Sequence, residues 1–215
     1  KKIVKFWTDP KQAEMRVKRA ECNPEAMPSN VEQSGNFLIH DFAKGDIVYN
    51  QYTPEVFEKM LAWCETTLWT PAPPEEHTDI DHLNICQKFY HDKTMERLEQ
   101  FRVKYSEWSE PCVVNGKEVL SIDQYLAKID FNWLCTETSW KFIHGDLHFD
   151  NTIYQHGQYL GSLDCFEQDK DKYADKFTAI DWRTDFGGSL YGDQYYDLAK
   201  MLGGLHLSYK DIKHD

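Results

Sequence analysis

The sequence predicts an α+β fold with two unequal lobes, and three observations lead to this class. Residues 1–48 are rich in strand patterns, whereas residues 49–215 are mostly helical in pattern. A small β region interrupts the helical part at about residues 151–182. A run of strands followed by a run of helices is typical of the α+β class.

The chain begins with a strand and a short helix. Residues 3–7 predict a strand with Ile3 and Lys5 on one face and Val4 and Phe6 on the other. Asp9 is a favourable N-cap, Pro10 occupies the first helical position, and Gln12 completes a capping box. We therefore expect a helix that ends near Cys22.

A loop, a second strand and a second helix follow. Residues 24–35 contain Asn, Pro, Ser and Gly, which is typical of a loop. The run NFLIHDF, residues 36–42, is apolar enough to form a buried strand, and the chain turns at Gly45. Thr53 is an N-cap that predicts a helix with an apolar stripe over residues 54–68.

The middle of the chain is mainly helical. Residues 80–108 predict a long amphipathic helix with room for one break. Asn115 and Gly116 predict a two-residue β-hairpin. Ser121 and Gln124 form a second capping box, from which we expect a helix through about Leu134.

The last third alternates short strands with a final helix. The charged run DKDKYADK, residues 169–176, predicts a solvated hairpin tip. DQYYDLAKMLGGL, residues 193–205, predicts the final helix.

Composition limits the classes of partner. The 215 residues carry a formal charge of −12, which argues against nucleic acid and against an anionic membrane surface. Seven Trp, twelve Tyr and twelve Phe can build a sizeable core. The six cysteines show no paired spacing, no apolar run approaches the ~20 residues of a membrane helix, and no signal peptide opens the chain. We expect a cytoplasmic protein with free thiols and no membrane span.

The chemistry concentrates in FIHGDLHFDNTIY, residues 142–154. Asp146 and Asn151 are five positions apart, so one loop can place a carboxylate and an amide oxygen around one reacting centre. The carboxylate can accept a proton from a hydroxyl, and the amide oxygen can ligate Mg²⁺. A second carboxylate, Asp181, ends the apolar strand FTAID. A base with two oxygen ligands for a cation is the combination that phosphoryl transfer requires.

These motifs resemble the protein-kinase-like superfamily. The pattern H-x-D-x-x-x-x-N, followed about thirty residues later by an apolar strand and Asp, is the basis of the resemblance. The form HGDLHxxN is similar to aminoglycoside phosphotransferases and choline-kinase-like enzymes. The run IDWRTDFGGSLYGDQYYDLAKML resembles phosphotransferases of bacterial capsule and surface-polysaccharide gene clusters. The resemblance, over residues 142–204, implies a two-lobed protein-kinase-like fold, with a partial β-rich N-lobe over 1–48 and a mostly helical C-lobe over 49–215.

The resemblance also implies roles for the C-lobe residues. Asp146 would be the catalytic base, Asn151 and Asp181 would hold Mg²⁺, and His144 would support the loop structurally. The resemblance also implies roles for residues that follow Asp181 in the chain. Asp193 or Asp197 would accept backbone hydrogen bonds from the catalytic loop, and Arg183 would contact a phosphate, the substrate or an acidic neighbour.

For the N-lobe, the resemblance implies a nucleotide site. Lys5 would contact the phosphates of ATP, with Glu14 as its partner and Glu21 as the second choice. The strand over residues 38–42 would be the hinge whose backbone reads the adenine edge, through Ile39, His40 and Asp41.

The implied activity is an ATP- and Mg²⁺-dependent transfer of the γ-phosphate to a hydroxyl of a small molecule. The acceptor classes are a sugar, an amino sugar or an amino alcohol such as choline. Residues 70–134 would select the acceptor. One element of the family is missing, because no glycine-rich phosphate loop precedes Lys5. We therefore expect this chain to be a fragment of a longer protein rather than a naturally short, inactive relative.

Two alternatives remain open at this point. The first is a kinase-like module that binds a nucleotide or a partner without catalysis, which the missing loop favours. The second is a metallophosphoesterase, because GDLH resembles the metal-binding D-x-H motif of those enzymes. The second alternative lacks the G-N-H segment that such enzymes also need.

Overall fold

The computed structural model describes residues 1–73, 79–157 and 175–206, and their fold is mixed α+β with small sheets, as predicted. The α-helices of this described part are α1 (Pro10–Cys22), α2 (Pro54–Trp63), α3 (Asp79–Cys86), α4 (Lys93–Lys104), α5 (Ile122–Leu126), α6 (Phe131–Thr136) and α7 (Gln194–His206). The strands are β1 (Lys2–Phe6), β2 (Glu32–Ser34), β3 (Phe37–Asp41), β4 (Asp46–Ile47), β5 (Val113–Val114), β6 (Lys117–Glu118), β7 (Trp140–Lys141), β8 (Thr152–Gln155), β9 (Lys176–Ala179) and β10 (Gly192–Asp193).

The chain divides into two compact units. The first takes its described residues from 1–72, 139–186 and 190–215, and the second from 73–138 and 187–189. The candidate catalytic, metal and nucleotide residues lie in the first unit, whereas most of residues 70–134, the predicted acceptor-selecting range, belong to the second. The predicted boundary between the two lobes, at residue 48, differs from this division into units and stays a prediction.

The first unit contains an antiparallel sheet of order β1-β3-β2 with α1 packed beside it. The register places Lys5 opposite Leu38, so the two side chains share a face. Helix α1 begins where the sequence predicts, because the Asp9 carboxylate accepts the N–H of Lys11. The predicted capping box is not formed: the side-chain oxygen of Gln12 accepts a hydrogen bond from Arg16 instead.

A second antiparallel sheet, of order β4-β8-β9, positions the two predicted metal ligands. A 3₁₀ turn, Phe149–Asn151, leads directly into β8, and β9 ends two residues before Asp181. The N–H of Ile180 donates to the carbonyl of Asn151 at 2.9 Å, which joins the ends of the two strands. Pairing of β8 with β9 therefore brings together residues that are thirty positions apart.

Two predicted boundaries were wrong. The predicted loop over residues 24–35 contains β2, which pairs with β3 through a turn in which Gly35 has a φ of +58°. The helix that starts after Ser121 ends at Leu126 rather than Leu134, although its capping box is formed as predicted. The carboxylate of Asp130 accepts the N–H of Trp133 and starts α6, so a second N-cap interrupts the helical run.

Other predicted elements are confirmed. The predicted hairpin has φ of +51° at Asn115 and +74° at Gly116, as a type I′ turn requires. The long helix over 80–108 consists of α3 and α4 joined by a π-helical turn, Gln87–Asp92. Most of the predicted hairpin tip over 169–176 lies outside the described residues. Within the described ranges, every helix is too short or too polar to cross a membrane.

Candidate active site

The predicted catalytic loop, residues 144–151, lies on a buried apolar framework. Ile143 and Leu147, on either side of the motif, are fully buried, whereas Asp146 between them is partly exposed. Gly145 has a φ of +82°, and a Cβ at this position would lie 2.9 Å from Cδ of Arg183. Only glycine fits this conformation beside the Arg183 side chain. The apolar neighbours and the glycine thus present Asp146 at the edge of the core.

A buried carboxylate on α7 binds the backbone of the loop. Asp197 accepts the N–H of His144 at 2.7 Å, the N–H of Gly145 at 2.8 Å and the indole N–H of Trp69 at 3.1 Å. Burial raises the pKa of Asp197 to about 6, against the lowering effect of these three donors. Of the two carboxylates that the sequence left open, Asp197 supports the loop. Asp193 instead accepts the N–H of Ser139 and the N–H of Tyr195.

The imidazole of His144 joins the catalytic loop to the strand that leads to Asp181. Its Nδ1 accepts the N–H of Asp146 at 3.2 Å, so its Nε2 carries the proton and donates to the carbonyl of Ile180 at 2.8 Å. Burial lowers the pKa of His144 to about 4, which keeps the ring neutral at pH 7. The predicted role of structural support agrees with these contacts.

Stability should therefore depend on pH through His144. Because its folded pKa of about 4 lies below the ordinary histidine value of ~6.5, the unfolded chain takes up a proton first as pH falls. We expect stability to decrease between about pH 6.5 and pH 4 by up to about 3 kcal/mol from this residue. Urea unfolding measured across this range tests the expectation.

His144→Gln is the control for this effect, since glutamine can both donate and accept but does not bind a proton. Asp197 titrates in the same range with the opposite sign, because its raised pKa makes the folded state gain stability as pH falls. Asp197 is present in both proteins, so their difference isolates His144. Parallel pH profiles for the two proteins would contradict the expectation.

Asp146 pairs with a lysine that the sequence analysis did not assign. Burial tends to raise the pKa of Asp146, but the His148 imidazole and the Lys200 ammonium, which is 2.7 Å from Oδ1, together hold the pKa well below its usual range. The side-chain amide of Asn151 donates to the backbone carbonyl of Asp146 at 2.9 Å. Asp146 is thus an ionised carboxylate, fixed in the loop and open to solvent on one side.

Asp181 forms an ion pair with Lys5. The carboxylate side chain is 51% exposed and the lysine side chain 28% exposed. Asp181 has a φ of +59°, which is uncommon for a residue other than glycine and is frequent at functional sites. Burial, together with the charge of Arg16, lowers the pKa of Lys5. The strand lysine and the strand-end carboxylate, 176 positions apart in sequence, are therefore in direct contact.

The oxygen donors present fit Mg²⁺. The amide nitrogen of Asn151 is committed to the Asp146 carbonyl, which leaves the amide oxygen to act as a ligand. The Asp181 carboxylate is half exposed, and carboxylate and amide oxygens are ligands that Mg²⁺ accepts. In the described part of the chain, no three His, Cys, Asp or Glu side chains are grouped as metal ligands. A metal here would accordingly be completed by phosphate and water oxygens, as is common for Mg²⁺.

The predicted partner of Lys5 is corrected by the structure. Glu14 is exposed and pairs with Lys18 at 2.7 Å along the outer face of α1. The buried positions of α1 include Ala13 and Ala20, so helical periodicity turns Glu14 towards solvent. Glu21, the second choice, is also exposed. The carboxylate that pairs with Lys5 is Asp181.

The predicted hinge is a strand whose backbone is already partly paired. The N–H of Asp41 donates to the carbonyl of Ser29 at 2.9 Å, and His40 is buried with its Nδ1 2.9 Å from the Asp41 carbonyl. Burial lowers the pKa of His40, so the ring is neutral. Ile39 is half-buried. A pocket of about 210 Å³ borders this strand end and is lined by Met27, Pro28, Ser29, Asp41, Phe42, Ala43, Lys44, Gln155, Lys176 and Thr178.

Two further residues complete the surroundings of the loop. Arg183 packs its aliphatic part against Gly145 and donates to the Tyr196 hydroxyl at 3.4 Å. Arg19 of α1 is fully buried and donates to the backbone carbonyls of Ile143, His144 and Arg183. Sequence reasoning missed Arg19 because an arginine on a helix is usually exposed. Its one sequence signal is its position next to Ala20, on the apolar side of α1.

Comparisons with known proteins found no relatives. A scan against protein-family models, a search of curated proteins and a search of solved structures each gave no match for this chain. The functional conclusion therefore depends on the chemistry of the residues around the catalytic loop.

Proposed function

We propose that the protein is an ATP- and Mg²⁺-dependent phosphotransferase of the two-lobed protein-kinase-like type, acting on a hydroxyl of a small molecule. The observation that carries the proposal is the ion pair between Lys5 and Asp181, held beside the loop that presents Asp146 and Asn151. These four side chains come from three separate segments of the chain. Their convergence supplies a cation for phosphate, oxygen ligands for a metal and a carboxylate for a hydroxyl.

The supporting contacts favour this assignment over a structural role. The buried polar groups of Asp197 and His144 form hydrogen bonds with the backbone around one short loop. Burying such groups is unfavourable unless each has a hydrogen-bond partner. These hydrogen bonds fix the position of Asp146 relative to Asp181, because His144 bonds both to Asp146 and to Ile180, the residue before Asp181. Precise placement of a few polar groups is the main requirement for phosphoryl transfer.

In the proposed mechanism, Lys5 would contact the phosphates of ATP, and Asn151 and Asp181 would hold Mg²⁺. The metal, when bound, neutralises charge on the phosphate oxygens. Asp146 accepts a hydrogen bond from the acceptor hydroxyl and orients it towards the γ-phosphate. Because the pKa of Asp146 is held low, its main task is orientation, and it takes the proton late, as a loose transition state allows.

The proposal includes a cytoplasmic location and an acceptor that is a sugar, an amino sugar or an amino alcohol. Among the described cysteines, Cys64 and Cys112 are free thiols, which favours a reducing compartment.

Nucleotide binding tests the proposal through Lys5. We expect Lys5→Met to weaken MgATP binding by about tenfold or more, because it removes a charge-assisted contact to phosphate. Isothermal titration calorimetry measures the dissociation constants, and a parallel screen with γ-labelled ATP, with Mg²⁺ or with EDTA, measures transfer to sugars, amino sugars, choline and ethanolamine.

Lys2→Met is the matched control, since Lys2 lies on the same strand and pairs with Asp41 at 3.2 Å. This variant should bind MgATP within about twofold of the unchanged protein, as expected for loss of an exposed ion pair. Failure of the unchanged protein to bind MgATP would refute the proposal.

A non-catalytic nucleotide-binding module is the second candidate. The specific observation in its favour is that Lys5 and Asp181 pair with each other. In this pair the Lys5 ammonium is not available to a phosphate, and the Asp181 carboxylate is not available to a metal. MgATP binding with no transfer to any acceptor in the same screen would favour this candidate.

A further inference from the structure

Helix α7 runs beneath the catalytic loop and contacts it at successive turns. Asp197 bonds the first part of the loop, and three residues later Lys200 lies 2.7 Å from Oδ1 of Asp146. One turn further on, a Cβ at Gly204 would lie 3.6 Å from Cβ of His148. The spacing of three and four residues places all three positions on one face of the helix. Lys200 is therefore part of the surface on which the loop rests.

The two oxygens of Asp146 have different surroundings. Oδ1 is bound by the Lys200 ammonium, whereas Oδ2 lies 3.4 Å from the amide nitrogen of Asn151 and 3.6 Å from Nε2 of His148. The side-chain amide of Asn151 has a closer acceptor, the Asp146 carbonyl at 2.9 Å. These contacts of Oδ2 are thus 3.4 Å or longer, whereas Oδ1 has the 2.7 Å contact with Lys200.

We propose that Lys200 is a positioning residue: its ammonium fixes Oδ1 of Asp146 and leaves Oδ2 as the oxygen that accepts the hydrogen bond of the acceptor hydroxyl. The inference rests on the proposed phosphotransferase function and assigns to Asp146 one reactive oxygen. Without Lys200, the carboxylate could rotate about its Cβ–Cγ bond. Its negative charge would also face the phosphates of ATP without the ammonium beside it. The side chains of Lys200 and Asp146 are 31% and 35% exposed, so a hydroxyl can reach the carboxylate from solvent while Lys200 stays bound.

Kinetics test the positioning role. Lys200→Met should lower kcat by about tenfold, with KM for ATP within about twofold, because the change affects the orientation of the base and not nucleotide binding. Lys200→Arg should recover most of the lost kcat, since arginine keeps the charge and a donor. Lys18→Met is the matched control, because it removes a lysine–carboxylate pair of the same 2.7 Å length on the outer face of α1. An unchanged kcat in Lys200→Met would overturn the proposal.

A double variant separates positioning from direct contact with the phosphoryl group. In the Asp146→Asn background, Lys200→Met should cause no further loss of turnover, because Lys200 acts through Asp146. A second loss as large as the first would show that Lys200 acts independently of Asp146, and it would overturn the assignment.

A readout that needs no nucleotide tests the pairing itself. Lysine side chains are labelled by reductive ¹³C-methylation, and the Lys200 resonance is the one missing from Lys200→Arg. We expect Asp146→Asn to shift the Lys200 resonance and to leave the Lys18 resonance in place. An unshifted Lys200 resonance would overturn the inference. A shifted resonance in a protein that neither binds nor transfers phosphate from ATP would support the pairing and count against the proposed function alone.

Discussion

Replacing Asp197 with alanine should lower the free energy of unfolding by about 4 kcal/mol, because three buried N–H donors lose their acceptor and each unsatisfied donor costs about 1–3 kcal/mol. The donors belong to His144, Gly145 and Trp69, and Asp197 itself is fully buried, so water does not readily replace it. Urea unfolding at pH 7.5, above the pKa of about 6, measures the loss. A typical domain has only about 5–15 kcal/mol of total stability, so this change threatens the fold.

The control for this prediction is a carboxylate that accepts a backbone N–H at the surface. Asp9 accepts the N–H of Lys11 at 3.0 Å as the exposed N-cap of α1. Asp9→Ala should cost about 1 kcal/mol, the usual value for an N-cap. Equal losses for Asp197→Ala and Asp9→Ala would mean that the buried carboxylate does not hold the catalytic loop.

Replacing Asp146 with asparagine should reduce phosphate transfer by about 10²–10⁴-fold, the range for loss of a positioned general base. An amide of the same size cannot accept the hydroxyl proton, and its neutral oxygen is a weaker acceptor for both the acceptor hydroxyl and Lys200. The nucleotide should still bind, since the phosphate contact of Lys5 and the metal ligands Asn151 and Asp181 are retained. Single-turnover transfer from γ-labelled ATP measures the rate, and calorimetry measures binding.

A neighbouring carboxylate provides the matched control. Asp150 lies in the same loop, with its Oδ2 3.8 Å from Nδ1 of His148. Asp150→Asn makes the same chemical change four residues away and should leave transfer within about threefold of the unchanged rate, as expected for a long, weak pair of partly exposed side chains. Transfer at the unchanged rate in Asp146→Asn, with folding intact, would remove Asp146 from the proposed mechanism.

The sequence was most informative where a local signal has a local cause. The Ser121 capping box and the Asn115-Gly116 hairpin formed as predicted, because their hydrogen bonds and positive φ values involve residues close in sequence. The motif around Asp146 predicts a functional loop from residues within a few positions of one another, and that role stays a prediction. The helix was predicted to continue past Leu126 because the apolar pattern continues there. A second local signal, the N-cap Asp130, instead starts a new helix.

The sequence was least informative about partners in space. The partner of Lys5 was predicted on α1, from the position of a glutamate in the chain, and the structure places that glutamate on the outer face. Arg19 and Lys200 were not assigned, because a cation on an amphipathic helix is usually solvated and its sequence position does not reveal a buried or catalytic contact. Both contact the catalytic loop or its carboxylate from helices far away in sequence.

Residue chemistry within short segments was sufficient to mark Asp146, Asn151 and Asp181 as a set of oxygen donors and to predict a mixed α+β chain. Whether Asp193 or Asp197 supports the loop, and which carboxylate meets Lys5, was decided by packing. The reason is physical: a hydrogen bond in a turn or a cap depends on backbone angles a few residues apart, whereas these contacts depend on which helix face and which strand register are buried together.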